Sequence, residues 1–249
     1  MTVSIEEGTP DLPPSIELAW GLRGRPRRGP KPGLTLERVV AAGIKVAHTD
    51  GLGALSMGRV AAELGVATMS LYRYVAAKDE LLTLMVDAAI GLPPDLGPPE
   101  DGWRAGIARW AVGVRAAYRR HPWALRVPIS GPPLGPNNVA WLEAGLRVLA
   151  ATPLSEHDKV STILLVSGFI RNEATLTADI VAGAAAEPAF AYGALLRRLT
   201  DPARFPAVHR VIASGAFDDG SDPDAEFNYG LARILDGVER LATSVDLPS

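Results

Sequence analysis

Residues 68–78 carry a dense set of hydrogen-bonding side chains, of the kinds that bind nucleic acid. Hydroxyl, phenol, guanidinium and ammonium groups are all present: Thr68, Ser70, Tyr72, Arg73, Tyr74 and Lys78. Such groups donate hydrogen bonds to phosphate oxygens and to base edges in a major groove. The apolar residues between them, Met69, Leu71 and Val75, are expected to pack inward. The pattern predicts a short helix with a polar face toward DNA.

The segment before it predicts a helix that ends at a glycine. Ser56 is a helix-capping residue type, and Gly65 stands where a left-handed residue ends a helix cheaply. Apolar residues recur between them at helical spacing: Met57, Val60, Ala61 and Leu64. Two short helices joined by a glycine turn predict a helix-turn-helix, and we include Ser56 and Met57 in its DNA surface. An ordinary helical hairpin is the alternative that this pattern leaves open.

Residues 64–82, LGVATMSLYRYVAAKDELL, resemble the signature of the TetR family of bacterial transcription regulators. That signature has a glycine turn, then Leu-Tyr-x-(His/Tyr)-(Phe/Val), then Lys-x-x-Leu-Leu. Residues 34–57, LTLERVVAAGIKVAHTDGLGALSM, resemble the family's first helix and loop, so the resemblance covers roughly residues 34–90. It implies that Tyr72 lies at the DNA surface, with Thr68 and Ser70 near base edges. Gly58 stands where some relatives place a long base-reading side chain.

Composition limits the classes of protein to consider. The chain has 249 residues, 47% of them hydrophobic, which is enough to bury a substantial core. It has no cysteine, which excludes disulfides and thiolate metal sites and suits a cytoplasmic protein. No apolar run approaches the roughly 20 residues that span a bilayer, and the acidic start MTVSIEEGTPDLPPS is unlike a secretory signal. We therefore expect a cytoplasmic location.

The net charge of −3 hides an uneven distribution along the chain. Residues 1–19 carry four acidic residues and no Lys or Arg, for a charge of −4. Residues 20–90 carry ten basic and six acidic residues, giving +4, and residues 91–249 carry fifteen and eighteen, giving −3. Five of the basic residues form an arm before the helix-turn-helix: Arg23, Arg25, Arg27, Arg28 and Lys31. We expect this arm to contact DNA, although such runs are more often merely solvated.

The predicted fold is all-α, with a three-helix helix-turn-helix domain followed by a larger helical domain. Residues 1–33 are expected to be a disordered acidic tail and the basic arm, and residues 34–90 the DNA-binding domain. Residues 91–249, after a Pro/Gly connector, form the predicted effector-binding and dimerisation domain. Helices are expected at about 35–48, 78–90, 100–120, 122–129, 137–151, 155–184, 188–200, 206–214 and 223–243. Pro188, Pro202 and Pro223 are placed in first helical turns.

Aromatic residues in the second domain suggest a ligand site. Trp103 and Trp110 share a helix face, because they are seven residues apart. The predicted pocket combines aromatic and polar residues: Trp103, Trp110, Tyr118, Trp123, Trp141, Phe169, Arg171, Asn172 and Glu173. An apolar pocket with few polar groups favours a planar or polycyclic ligand. The alternative is plain core, which is the more frequent role of a tryptophan at helical spacing.

No enzyme signature is present, since the four histidines fit no metal-protease spacing and no nucleophile elbow or phosphate loop occurs. We expect no cofactor or metal; the tetracycline branch holds magnesium through a histidine, but neither His121 nor His157 aligns with that role. The resemblance implies a ligand-responsive regulator, most simply a repressor, that binds a near-palindromic DNA operator as a homodimer, with helices around 160–184 and 223–243 pairing at the dimer interface. A constitutive DNA-packaging protein is the alternative from another class.

Overall fold

The computed structural model describes residues 12–22, 33–129, 131–186, 192–217 and 224–245, and within those ranges it contains helices and no strand. The α-helices, in chain order, are α1 (Pro14–Ala19), α2 (Leu36–Thr49), α3 (Met57–Leu64), α4 (Lys78–Ile90), α5 (Gly102–Arg120), α6 (Pro136–Leu149), α7 (Glu156–Ala186), α8 (Tyr192–Leu199), α9 (Pro206–Ala213) and α10 (Ala225–Val245). Short 3-10 helices cover Leu52–Ala54, Thr68–Arg73, Pro99–Asp101 and Pro122–Arg126.

The first domain is a small bundle of α2, α3, the Thr68–Arg73 segment and α4. The Thr35 hydroxyl accepts a hydrogen bond from the Arg38 amide and begins α2, as a capping residue should. Apolar residues from all four elements meet in one core: Val39, Val46, Val60, Leu71, Leu81 and Met85. Leu81 and Met85 belong to α4, so the helix after the recognition segment is part of this bundle.

The second domain packs α5 against α6, α7 and α10. Ile107 and Trp110 of α5 lie in one core with Val166 and Ile170 of α7. Phe227, Leu231 and Leu235 of α10 close the same core. The long helix α7 is therefore buried on one side along much of its length, and the fold is the all-α, two-part arrangement that the sequence predicts.

The structure corrects three expectations about elements. Residues 122–129 form only a short 3-10 helix, Pro122–Arg126. Pro202 lies in a turn between α8 and α9, not in a first helical turn. Pro188 and Pro223 lie outside the described residues.

The third correction concerns the acidic tail, for which the sequence predicts disorder. Pro14–Ala19 is helical, and Ile16 is buried. Gly21 ends this helix with a positive φ, while the Leu22 amide donates to the Glu17 carbonyl. The Trp20 indole Nε1 donates to the Leu134 carbonyl oxygen at 2.7 Å, which fastens α1 to the loop before α6. Ile16 is the apolar residue that packs this helix against the protein, which the proline-rich composition of the segment does not indicate.

Candidate DNA-binding surface and effector cavity

The first helix of the helix-turn-helix, α3, begins at a capping serine and ends at a glycine. The Ser56 hydroxyl accepts from the Arg59 amide and begins α3. Gly65 ends α3 in the left-handed region, at φ 67° and ψ 32°, where a residue with a Cβ is strained. The Val66 amide returns to the Ala61 carbonyl, so the chain reverses within the turn. This fixes the direction in which the next segment leaves α3.

The recognition segment Thr68–Arg73 is anchored on one side and polar on the other. Leu71 and the following Val75 are fully buried in the first core. Tyr72 and Arg73 are exposed, as is Lys78 at the start of α4. Thr68 and Ser70 are half-buried with part of their surface in solvent. The segment thus presents four of these residues on one short stretch, as a 3-10 helix rather than an α-helix, and Lys78 follows at the start of α4.

Three residues differ from their predicted places. Met57 is only 8% exposed and belongs to the first core, so it is removed from the predicted DNA surface. The Tyr74 hydroxyl donates to the Leu34 carbonyl oxygen at 2.7 Å, which makes Tyr74 a brace between the recognition segment and the start of α2. Met69, expected to pack inward, is 75% exposed between Thr68 and Ser70.

Met69 is the residue of this surface that sequence reasoning missed. Its thioether side chain stands between two hydroxyl residues on the recognition segment. An exposed apolar group there suits contact with a thymine methyl in the major groove. The sequence carries no signal for the 3-10 spacing, which places Met69 on the same side as the exposed Tyr72 three residues later.

An ionic cluster holds α3 against α2. The Arg59 guanidinium donates to Asp50 at 2.9 Å and to Glu63 at 3.1 Å, and Lys45 pairs with Glu63 at 2.6 Å. Hydrogen bonds from Lys45 and then Arg59 hold the pKa of Glu63 below its ordinary value. These groups lie at the surface, so the cluster mainly fixes the orientation of α3 rather than adding much stability.

The two tryptophans at the centre of the predicted pocket form a hydrogen-bonded core pair. Trp110 Nε1 donates to the Trp141 carbonyl oxygen at 2.9 Å, and Trp141 Nε1 donates to the Gly91 carbonyl oxygen at 2.8 Å. Their rings meet edge to face with centroids 5.8 Å apart. Because a buried indole N–H needs a partner and both have one in the backbone, these two residues are packed as part of the core.

The other predicted aromatic residues are dispersed. Trp123 is buried in the core of the first domain, while Trp103 packs against the core of the second domain and against Leu154. Phe169 stacks on Phe227 with ring centroids 5.6 Å apart, which joins α7 to α10. Trp123 therefore does not converge with Trp141 and Phe169, which belong to the core of the second domain.

The three polar residues of α7 also have other roles. Arg171 Nη2 donates to the Leu125 and Val127 carbonyl oxygens, at 3.1 and 2.9 Å, and holds the 122–126 segment against α7. Glu173 accepts two hydrogen bonds from Arg115. Asn172 is exposed on the outer side of α7. None of the three lines either of the two cavities described next.

A small, partly open cavity of about 30 Å³ lies instead between the two domains. It is lined by α4, α5, α6 and the 122–126 segment: Val86, Ala89, Ile90, Val114, Ala117, Tyr118, His121, Ala124 and Asn138. Tyr118 is the one predicted pocket residue among them. A larger depression of about 260 Å³, between Arg38, Lys45 and Glu63, is open to solvent on the first domain. The interdomain cavity is mostly apolar with a few polar groups, a composition typical of small-molecule sites.

Two buried ring nitrogens at the domain junction have no hydrogen-bond partner within the described residues: His121 Nδ1 and Trp123 Nε1. Their rings stand edge to face with centroids 6.1 Å apart, and the His48 ring lies 6.3 Å from that of His121. Burial, then Arg120 and His48, lower the pKa of His121 below 6.5. A neutral imidazole at the cavity wall can donate or accept one hydrogen bond from a ligand. Within the described residues, no group of three metal-ligating side chains accompanies it.

The comparisons with known proteins agree with this geometry. Residues 39–85 match the family described as "Bacterial regulatory proteins, tetR family", and residues 94–242 match "Tetracyclin repressor-like, C-terminal domain". The chain belongs to the TetR family. The HTH-type transcriptional repressor DrrR1 of Streptomyces coeruleorubidus is 42% identical over 250 aligned positions, covering 94% of this chain and 88% of that protein. TetR-family proteins are DNA-binding transcription regulators and not enzymes.

Solved structures of TetR-family proteins share the fold. ActR of Streptomyces coelicolor in complex with (S)-DNPA superposes with a TM-score of 0.72 at 25% identity, over 84% of this chain and 99% of that one. ActR in complex with actinorhodin gives a TM-score of 0.70 at 27% identity, over 84% and 98%. Among the described residues of this TetR-family protein, no helix is both long and apolar enough to cross a bilayer.

Acidification should destabilise this TetR-family protein through His121. The unfolded chain gains a proton near pH 6.5, whereas the folded chain, with its lowered His121 pKa, gains it only at lower pH. The free energy of unfolding should thus fall as the pH drops below 6.5, by at most about 1.4 kcal/mol per pH unit from this one proton. Urea unfolding at about pH 7.5 and about pH 5.5 measures the change. His121→Gln should reduce it, and the exposed control His157→Gln should not; an equal pH dependence in His121→Gln and wild type would contradict the assignment.

Proposed function

We propose that this protein is a ligand-responsive repressor that binds a near-palindromic operator as a homodimer and is released by a small, largely apolar effector. The observation that carries the proposal is the recognition segment, in which Leu71 is buried while Tyr72 and Arg73 face solvent, with Lys78 exposed at the start of α4. Its polar groups are free to meet base edges and phosphates, because the fold is held by the apolar side. The 42% identity to a transcriptional repressor supports repression over activation.

An exposed ridge on α7 supports the homodimer. Every fourth residue from 160 to 180 is exposed and the series is largely apolar: Val160, Leu164, Gly168, Asn172, Leu176 and Ile180. Residues four apart on a helix form a continuous ridge, which packs into the groove of a facing helix. Gly168 has open space around its Cβ position, so a second helix can approach closely there. Asn172, predicted to touch ligand, is proposed here to lie within the dimer interface.

Helix α10 carries a second ridge with the same spacing. Tyr229, Arg233, Gly237 and Leu241 are all exposed, and Gly237 again has open space around its Cβ position. The two helices pack together through Phe169 and Phe227 on their inner sides. The ridges of the two helices together form a broad exposed face. We propose that a second copy of the chain packs its own α7 and α10 against this face, because a twofold interface uses the same surface on both subunits.

A homodimer fixes the form of the operator. Two recognition segments related by a twofold axis meet successive major grooves on one face of the duplex, roughly 34–36 Å apart. The half-sites therefore read the same sequence in opposite directions. The basic arm, Arg23, Arg25, Arg27, Arg28 and Lys31, lies outside the described residues, and we propose that it contacts DNA beside the recognition segment because it directly precedes α2 in the chain.

The interdomain cavity is the proposed effector site. Solved structures of a relative contain (S)-DNPA and actinorhodin, and we propose that this chain takes an effector of similar chemistry. The cavity has room for about one water molecule, so a larger ligand enters only if α4 and α5 move apart. Because α4 carries Lys78 directly after the recognition segment, that movement changes the spacing of the two segments in the dimer. Tyr118 and His121 offer the ligand its polar contacts.

Selection of duplex DNA tests the function. The full-length protein is used to recover bound fragments from a random duplex library, and the selection is repeated with actinorhodin. We expect enrichment of one near-palindromic sequence and its loss at saturating ligand, on the scale of 5- to 150-fold in affinity. Enrichment unaffected by actinorhodin or other polycyclic compounds would reject the effector class. Binding without sequence preference would instead indicate a DNA-packaging protein.

The recognition segment gives a sharper test. Arg73→Ala should weaken operator binding by about 1–3 kcal/mol and relax preference at one position in each half-site, if Arg73 reads a guanine. Tyr72→Phe should weaken binding without changing preference, because a lost phenol contact to phosphate carries no sequence information. Fluorescence anisotropy with the selected operator and single-position variants measures both. Arg210→Ala, which removes an exposed arginine of α9, is the control, and unchanged affinity in both test variants would refute the surface.

A further inference from the structure

Helix α1 lies across the boundary between the two domains. It packs against α4, and Ala19 contacts the core of the first domain. At its end, the Trp20 indole donates to the Leu134 carbonyl oxygen, which belongs to the loop before α6 in the second domain. Ile16 is 4% exposed, so its side chain is buried by the protein. The segment 12–22 is therefore docked, although its composition predicts disorder.

The docking contacts keep α1 folded. A helix of six residues is far below the roughly 12–15 residues at which an isolated helix becomes marginally stable in water. Its ends are closed locally: the Ile16 amide donates to the Pro13 carbonyl oxygen, and the Leu22 amide donates to the Glu17 carbonyl oxygen. Gly21, with φ 67°, takes the left-handed conformation that turns the chain after a helix. The docked helix thus sets the place and direction in which the chain leaves Leu22.

The basic arm is flanked by two fixed points. Its first member, Arg23, directly follows Leu22. Beyond the arm, the Leu34 carbonyl oxygen accepts a hydrogen bond from the Tyr74 hydroxyl, just after the recognition segment. The ten residues 23–32 between these points include five basic residues and no acidic one. The arm therefore connects the domain junction to the DNA-binding surface.

The length of this connection is sufficient for DNA contact. Leu134 is next to Gly135, where a Cβ would meet the Asp87 carboxylate, so the Trp20 contact lies beside the last part of α4. Asp87 follows Lys78 by nine residues, which is about 14 Å along a helix axis. Ten residues span at most about 33–36 Å. The arm can therefore reach the DNA side of α4 while α1 stays docked.

We propose that Ile16 and Trp20 are positioning residues that hold the first end of the basic arm and thereby strengthen its contact with the DNA backbone. This inference rests on the proposed function, in which the arm binds DNA. A chain anchored at both ends has fewer conformations to lose on binding than a chain anchored at one end, so more of its electrostatic attraction appears as affinity. That attraction is to phosphates and does not depend on base sequence.

The test is a double-mutant cycle between α1 and the arm, measured in full-length protein by anisotropy with one duplex at several salt concentrations. Ile16→Ser removes the buried side chain without a change of charge, and the arm-neutral protein has the five basic residues of the arm replaced by glutamine. In the wild-type background, Ile16→Ser should weaken binding about fivefold or more at about 0.1 M salt and reduce the slope of log K against log salt by about 1. In the arm-neutral background, it should change affinity less than about twofold, because no basic arm is left to position.

Two further variants make the test specific. Trp20→Phe keeps an aromatic ring but removes the donor to Leu134, so it should act in the same direction with a smaller effect. Leu12→Ser is the matched control, because Leu12 is exposed ahead of α1, and it should bind DNA as the wild type does. Amide exchange should be faster in residues 14–22 of Ile16→Ser, which shows undocking, and unchanged in residues 36–49, which shows that the first domain stays folded.

Three results would overturn the proposal, and they differ in what else they reject. An equal loss of affinity in the wild-type and arm-neutral backgrounds would show that α1 acts on DNA binding without the arm. Full affinity and salt slope in both Ile16→Ser and Trp20→Phe, beside a weakened arm-neutral protein, would leave the arm contact standing and remove α1 from it. Wild-type binding by the arm-neutral protein would reject the arm contact of the proposed function, and the positioning role with it.

Discussion

Leu164→Glu is expected to convert the protein to a monomer and to weaken operator binding about 100-fold or more, since two linked recognition units bind far more tightly than either alone. Leu164 is 66% exposed on the α7 ridge and has no intrachain packing role that its loss would disturb. A glutamate there meets the same residue or its neighbours across a twofold axis, so two buried like charges oppose association. The effect on DNA binding follows from the lost partner and not from any change in the recognition segment.

Sedimentation velocity at micromolar protein and anisotropy with the selected operator measure the two consequences. Leu176→Glu, three turns further along the same ridge, should repeat the result. Leu199→Glu is the matched control, because Leu199 is 78% exposed on α8, away from the ridges of α7 and α10. A dimer that persists in both ridge variants would refute this face, and a control that dissociates equally would show that the charge acts nonspecifically.

Local features of the first domain could be predicted from the sequence. Thr35 and Ser56 cap helices as expected, and Gly65 takes the left-handed conformation. These features depend on hydrogen bonds between residues three or four apart, which a sequence displays directly. The bounds Lys78–Ile90 also match the expected helix, whose first turn carries Asp79 and Glu80. Burial within that domain was harder to predict: Met57 lies in the core with the other apolar residues of α3, and Met69, on the 3-10 segment, is exposed.

Long-range pairing in the second domain could not be predicted. A tryptophan spacing of seven residues places Trp103 and Trp110 on one helix face, but it does not say that Trp110 donates to the Trp141 backbone. The sequence shows Glu173 as a charged residue in an apolar helix, but it does not identify the partner, Arg115, which lies 58 residues earlier in the chain. Asp87 gave no sequence signal of its own, since its donors are amides at the start of another helix. A polar residue in an apolar helix indicates that it has a hydrogen-bonding or ionic partner, but the sequence does not identify that partner.

Arg115 is as deeply buried as Asp87. Its side chain is 6% exposed, and its guanidinium donates to Glu173 at 2.6 and 2.9 Å and to Asp224 at 2.6 Å. The Phe227 ring lies beneath it, 4.2 Å from Cζ to the ring centroid. Burial acts to lower the pKa of Arg115, but the carboxylates of Glu173 and Asp224 outweigh it and raise the pKa. One side chain thus joins α5, α7 and the start of α10 beneath the proposed dimer face.

Arg115→Ala should lower the free energy of unfolding by about 3–5 kcal/mol, because it leaves the Glu173 carboxylate, 14% exposed, without its counter-charge. Urea unfolding followed by circular dichroism measures the loss. Arg126→Ala is the control, since that arginine pairs with Asp179 at the surface, and it should cost less than about 1 kcal/mol. The double variant Arg115→Met with Glu173→Leu should recover most of the stability, because the buried charge is removed together with its partner. An equally unstable double variant would show that packing around Phe227, and not the unpaired carboxylate, causes the loss.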